Sequence, residues 1–326
     1  MTFLAGGTKG LSRQQLLAVY ALTPLLVTMV ALDLGAFQGR LRELLPQSPA
    51  ALPIYSIVFG FPHVIASFFF VGDRELARDA MPVLLPSALL ALVAAFAAMS
   101  LLDSRQVGLA LILTTMVHVL GQQTGMAAGQ AGLTRTAGWR AATLAWRVLL
   151  AGVGCGAATA IGGEAMVAVV EFPDAWLLMA GVCLLLSTPL AAWLAYRARQ
   201  HGGDVRALMS MQLTAMGGYA LVLLGYPLLS IWLFRFVHDV TAFMVYGTLA
   251  NTRASAAPGG NRLYSLLGLR SALTGWMLWP MAIVLTYLAS LAVPVVALMA
   301  LTWTHYLAEH RIWRHGSPLR KWLPLR

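Results

Sequence analysis

Apolar residues run through this chain in stretches long enough to cross a bilayer, interrupted at short intervals by prolines, glycines and arginines. A crossing helix needs about 20 mainly apolar residues to traverse a hydrocarbon core of about 30 Å. That criterion predicts helices over 15–36, 51–72, 80–102, 106–128, 141–162, 175–196, 207–227, 228–250, 271–289 and 291–312. The two closest pairs are divided by little more than Tyr226-Pro227 and Val293-Pro294, where proline withdraws a backbone donor and stops the preceding helix. The expected fold class is all-α, a polytopic membrane bundle of about ten transmembrane helices forming a single transmembrane domain over residues 1–326. The first run follows Lys9 and Arg13 but lacks a small-x-small cleavage pattern, so it is expected to be a helix and not a signal peptide.

Composition supports the membrane reading. The chain is 59% hydrophobic and 10% charged, with a mean hydropathy of +0.75, whereas soluble domains carry roughly 25% charged residues. The net charge of +10 would direct a soluble chain toward nucleic acid, but here the basic residues sort by membrane side and no nucleic-acid partner is expected. With the N-terminus inside, all Lys and Arg residues fall in cytoplasmic segments except Arg40, Arg42 and Arg105 on the outer side and Arg147 and Arg235 within helices. Both termini are thus expected to be cytoplasmic, in what is read as a bacterial inner membrane. Cys155 and Cys183 each lie within an apolar run with no CxxC spacing, and are expected to be packing residues.

Ionisable residues inside spans change the picture from fold to chemistry, because their insertion is costly and they mark functional sites. The stretch from Phe234 to Tyr246 holds Arg235, His238 and Asp239 in an otherwise apolar run. Three further histidines, His63, His118 and His305, lie within other predicted helices, whereas His201, His310 and His315 fall in segments outside the membrane or at its edge. The helices that carry His63, His118, His238 and His305 are all even-numbered and run the same way. Counted at about 1.5 Å per residue, three of the four reach mid-membrane, with His305 somewhat nearer the cytoplasm. A shared metal or cofactor site is the expectation.

Residues four apart share a helix face, which places Gln122 beside His118, Glu309 beside His305 and Ser67 beside His63, with Thr114, Thr302, Gly60 and Ser56 extending these stripes. Such groups supply hydrogen bonds that orient an imidazole and fix its tautomer. Asp239 lies four residues from Arg235, so an internal ion pair stands beside a proton-transfer role for it. Imidazole-rich ligation suits iron, zinc or copper, and a Glu309 carboxylate tilts the set toward iron. The spacing alone leaves the metal, and the choice of one ion or two, open.

The segments GFPHVIAS (60–67), MVHVLGQQ (116–123), RFVHDVTAF (235–243) and THYLAEHRIWR (304–314) together resemble the four histidine segments of the Brp/Blh family, membrane-embedded, iron-dependent β-carotene 15,15′-dioxygenases that make retinal. Their order and their short, long, short spacing agree with that family, and the GxPH element of the first is the most specific piece. The resemblance implies His63, His118, His238 and His305 as iron ligands, with Glu309 matching a family acid. The chain departs at Ser67 and Gln122, where the family has acids, and at Ala242, where it has a further histidine.

The expected function is accordingly a non-haem iron oxygenase or other oxidoreductase using Fe(II), with one or two ions, dioxygen and a lipid-soluble, carotenoid- or lipid-like substrate, and with an electron donor as a further partner. Glu309, Asp239 and Gln122 are its expected catalytic or tuning residues. Phe59, Phe61, Phe68, Phe69, Phe70, Phe243, Tyr246, Trp303 and Tyr306 are candidates to line the substrate cavity. Two alternatives stand beside it. One is a haem-binding, quinol-linked electron-transfer protein with axial histidines, and the other is a proton-coupled transporter using His238, Asp239, Arg235 and Glu309.

Overall fold

A computed structural model describes residues 11–46, 58, 60–133, 137–160, 173–256, 274–313 and 317–318. Among them the chain forms α1 (Arg13–Val19), α2 (Leu22–Ala36), α3 (Arg40–Leu44), α4 (Phe61–Phe69), α5 (Arg74–Leu101) and α6 (Ser104–Gln130). There follow α7 (Arg140–Thr159), α8 (Pro173–Gln200), α9 (Arg206–Leu223), α10 (Pro227–Ala256), α11 (Thr274–Ala292) and α12 (Val295–Trp313). No strand is present among the described residues. Six helical stretches among the described residues are long and apolar enough to cross a membrane: Arg13–Ala36, Arg74–Leu101, Gln106–Gln130, Arg140–Thr159, Asp174–Gln200 and Pro227–Arg253. The protein is therefore read as an integral membrane protein with an all-helical fold.

Local chemistry accounts for the helix ends. Asp73 is extended (φ −73°, ψ 128°) and its Oδ1 accepts from the backbone N–H groups of Glu75 and Leu76, which makes it the N-cap of α5. The helix consequently starts at Arg74, a turn and a half before the hydropathy window that predicts it. Helix α9 stops at Leu223, short of its window. Gly225 takes the left-handed conformation (φ +87°) there, its N–H bonds to the Val222 carbonyl and that of Tyr226 to the Leu221 carbonyl. This is the paired closure that a glycine permits after a helix, and Pro227 then opens α10 at the first helical position, where no N–H is needed. Two windows differ from expectation. The first is divided into α1 and α2 around Tyr20-Ala21, and the second contains α4 and a 3₁₀ turn over Phe70–Gly72, with 51–57 and Phe59 outside the described residues.

The long helices are inverted in texture relative to soluble ones. On α5 the exposed residues Leu85, Leu89, Leu92 and Phe96 form one stripe, and the buried ones, Leu76, Ala80, Leu84, Ala91 and Ala95, form another. Large apolar groups face outward and mostly small ones inward, the arrangement that suits helices packing closely in lipid.

The chain divides into two units, 1–16 with 54–101 and 239–326, and 17–53 with 102–238. In unit one, α12 packs along α5 and α4, and α11 packs on α4. Arg253 of α10 donates to Asp73 Oδ2 at 2.8 Å, so the residue that caps α5 also holds the end of α10.

In unit two, α7 packs against α6, α8 and α9, and α9 also touches α2 and α6. Close approach depends on glycines of α7. A Cβ at Gly154 would lie 2.2 Å from Leu120 Cδ1, and one at Gly156 would lie 2.5 Å from the Trp176 carbonyl oxygen. The core of this unit is tied by polar groups that sequence reading did not single out. Trp146 Nε1 donates to Gln212 Oε1 (2.9 Å), while Gln212 Nε2 donates to Ser187 Oγ (3.0 Å) and Thr188 Oγ1 (3.1 Å), joining α7, α8 and α9. Asp33 at the end of α2 accepts from the Tyr226 hydroxyl and from the N–H groups of Leu41 and Arg42. These bonds offset the cost of placing polar groups in an apolar interior.

Candidate metal centre

The centre is built on α4, α10 and α12 of unit one. Pro62 occupies the first turn of α4, where its missing N–H costs nothing, and sets His63 one residue further on. Helix α12 presents His305 and Glu309, four residues apart, on one buried face together with Thr304, Ala308 and Ile312. His63, His305 and Glu309 are all buried. His63 Nε2 lies 3.4 Å from Glu309 Oε1, and His305 Nε2 lies 3.5 Å from Glu309 Oε2. The two imidazole rings are nearly perpendicular, with centroids 4.6 Å apart. One ligand atom from each residue lies within 4.8 Å of the others.

Those distances fit a metal. With bonds of about 2.1 Å, neighbouring ligand atoms in octahedral or tetrahedral geometry stand about 3.0–3.4 Å apart. The two histidine–carboxylate separations, 3.4 and 3.5 Å, lie at and just above the upper end of that range.

Hydrogen bonds orient the donors. Ser67 Oγ donates to the Val64 carbonyl at 2.8 Å and lies 2.8 Å from His305 Nδ1. With its proton committed to Val64, Ser67 accepts from Nδ1–H of His305, which leaves the lone pair on Nε2, the nitrogen that faces Glu309. The Tyr246 hydroxyl donates to Glu309 Oε1, and its ring stacks parallel to that of His63 with centroids 5.8 Å apart. Phe70 packs on Tyr246, and Phe243 meets both His63 and Trp279. Trp279 Nε1 is fixed by the Val58 carbonyl at 2.8 Å. Asp239 is fully buried and offers a carboxylate oxygen within 4.8 Å of a His63 ring nitrogen.

The other two predicted histidine ligands, with Gln122 and Arg235, belong to unit two. His118 of α6 and His238 of α10 lie edge to face, with ring centroids 5.1 Å apart. His238 is buried and His118 half-buried. Gln122, one turn beyond His118, keeps both amide atoms buried without a hydrogen bond to any described residue. Arg235 is half-buried. Helix α10 is continuous through His238 and Asp239, the point where one unit ends and the other begins.

Several expectations for the supporting groups are revised. Ser67 orients His305 and not the His63 of its own helix, because its hydroxyl and His305 Nδ1 converge from facing helices. Thr114 and Thr302 turn their hydroxyls back to carbonyls of their own helices, at Ala110 and Leu298. Ser56 and Phe59 lie outside the described residues. Sequence reading gave Tyr246 only an apolar lining role. Its signal was its spacing: Asp239, Phe243 and Tyr246 stand at i, i+4 and i+7 on α10, one face over two turns. Trp279 had no such signal, since it lies among other apolar residues of α11. No protein-family model, curated protein or solved structure matches this chain.

Proposed function

We propose that the chain is a membrane-embedded non-haem iron oxygenase acting on a lipid-soluble, carotenoid- or lipid-like substrate, in a bacterial inner membrane that it crosses about ten times with both termini in the cytoplasm. One observation carries the reading: two imidazoles and one carboxylate, all buried, converge through His63 Nε2, His305 Nε2 and the two oxygens of Glu309. Two histidines and one carboxylate form the donor set that holds ferrous iron while leaving positions open in oxygenases. Bound Fe(II) supplies dioxygen activation.

The chain's own residues do the rest. Ser67 keeps the His305 lone pair on Nε2, and Tyr246 holds Glu309 by its Oε1, leaving Oε2 toward His305. Phe70, Phe243 and Trp279 give the centre an apolar wall that excludes water and suits a substrate arriving from lipid. Asp239 provides a second buried carboxylate beside His63, placed to hold a proton during turnover. His118, His238 and Gln122 belong to the other unit, and the reading is made without them.

The test is spectroscopic. Full-length protein in mild detergent is loaded anaerobically with Fe(II) and exposed to nitric oxide, which occupies open positions as dioxygen would. The reading predicts the half-integer-spin signal of a non-haem ferrous nitrosyl, at one or two irons per chain and without a Soret band. A Soret band with no such signal favours the haem alternative and overturns the reading.

A further inference from the structure

Arg147 lies eight positions into α7, a helix apolar enough to cross the membrane. An arginine there is costly unless something answers its charge. It forms no ion pair or hydrogen bond with any described residue, and its Nε is buried. The path of the side chain is recorded by the glycines of α6. Arg147 Cδ lies 3.9 Å from where a Cβ would stand on Gly121, and its Nη2 lies 2.8 Å from where one would stand on Gly125. Further along α7, Gly154 packs against Leu120 and Met116, earlier on α6, so the two helices are antiparallel. The guanidinium therefore reaches back toward the first turn of α7 and the last turns of α6, along a trough that any side chain at Gly125 would fill.

One turn further along each helix, Gly129 leaves open space and Thr143 offers a second donor. Gly129, one turn beyond Gly125, meets nothing within 4 Å of a Cβ position. Thr143, one turn before Arg147 on the same face of α7, is only 8% exposed, and its Oγ1 makes no hydrogen bond among the described residues. A helix α6 centred in the bilayer would put this region at headgroup depth. The 27 residues of α6 extend about 40 Å, against a hydrocarbon core of about 30 Å, so each end projects roughly 5 Å. Gly125 lies five residues, about 7.5 Å, from the end of α6, within a few ångströms of the hydrocarbon edge. Trp139, with Arg197 5.9 Å over its ring, marks the same end of α7 with the aromatic and basic pair typical of an interface. Leu144 and Val148 flank Arg147 and are exposed.

We propose that the Arg147 trough seats the phosphodiester of a phospholipid, with the forked guanidinium and Thr143 Oγ1 donating to phosphate oxygens and the acyl chains lying over Leu144 and Val148. Arginine matches such an anion because its parallel N–H groups meet two oxygens at once. The proposal is independent of the metal centre.

Native mass spectrometry of the full-length protein in mild detergent tests it, using dioleoylphosphatidylglycerol, dioleoylphosphatidylcholine, dioleoylglycerol and inorganic phosphate as probes. Retention of one molecule of either phospholipid per chain is expected, with no retention of dioleoylglycerol and no displacement by inorganic phosphate. Arg147→Gln should lower occupancy at least about tenfold, a change worth ~1.4 kcal/mol. Gly129→Leu fills the trough where a Cβ has room, and should lower occupancy equally with helicity unchanged, so the test survives an Arg147 variant that misfolds. Equal retention of phospholipid by both variants, or of dioleoylglycerol by the wild type, overturns the proposal. Displacement by inorganic phosphate assigns the trough to a free anion and overturns the lipid assignment.

Discussion

Glu309 sits between two imidazole Nε2 atoms and under a tyrosine hydroxyl, in an interior where an isolated carboxylate would cost several kcal/mol. Its neighbours divide the work of keeping it there. Tyr246→Phe removes a buried, charge-assisted donor and should lower the stability of the metal-free protein by about 1.5–3 kcal/mol, read from denaturant unfolding in detergent by circular dichroism. Ser67→Ala acts differently, because it frees the His305 imidazole to turn or change tautomer while leaving every ligand present. Metal affinity should fall about 10- to 100-fold with little change in unfolding midpoint, measured by competitive titration with a chelator. An unchanged affinity in Ser67→Ala would show that the hydroxyl does not orient the imidazole. The buried histidines and carboxylate were legible in the sequence, since ionisable residues inside apolar runs stand out against their surroundings. Which hydroxyl serves which ring was not, because Ser67 and His305 are 238 residues apart and helical spacing reports only contacts along one helix.

Helices here begin and end where short-range chemistry directs. The Gly225 turn and Pro227 mark the boundary between α9 and α10 that the sequence placed at Tyr226-Pro227, and Val293-Pro294 likewise divides α11 from α12. The start of α5 was less legible, because hydropathy does not register the capping carboxylate of Asp73, which is set among charged residues. That residue joins α5 to α10 through Arg253, both side chains being buried. Asp73→Ala removes the cap and the closer of the two carboxylates beside the guanidinium, Glu75 standing 3.4 Å away. A loss of about 3–5 kcal/mol is expected, and the double variant Asp73→Ala with Arg253→Met should recover part of it, as unfolding of the three proteins would reveal. Glycines of α7 give a second contrast at this scale. Gly156→Ala sets a methyl group against the Trp176 carbonyl oxygen and Ala180 and should cost about 1–3 kcal/mol through overpacking. Gly108→Ala, inside α6 with nothing within 4 Å, should instead raise stability by about 0.4–1 kcal/mol. Equal melting temperatures for these two variants would contradict the packing of α7 on α8.

At the scale of the molecule, the all-helical class followed from apolar run length, and every predicted window contains described helix. The division into two units was not legible, since helices of both units share the same apolar texture and the cut passes within α10 between His238 and Asp239. The stretch from Arg235 to Asp239 reads as one cluster in the sequence, yet His238 pairs with His118 in one unit while Asp239 accompanies His63 in the other. The central claim rests on unit one alone: His63, His305 and Glu309 bind a metal. Elemental analysis of the full-length protein purified in mild detergent and loaded anaerobically with Fe(II) tests it most directly. The wild type is predicted to retain iron in stoichiometric amount after desalting, and His305→Ala and Glu309→Ala to lose it while keeping their helicity. A wild type that retains no iron, or variants that retain as much as it does, would contradict the assignment and leave the three residues as a buried ion-pair network.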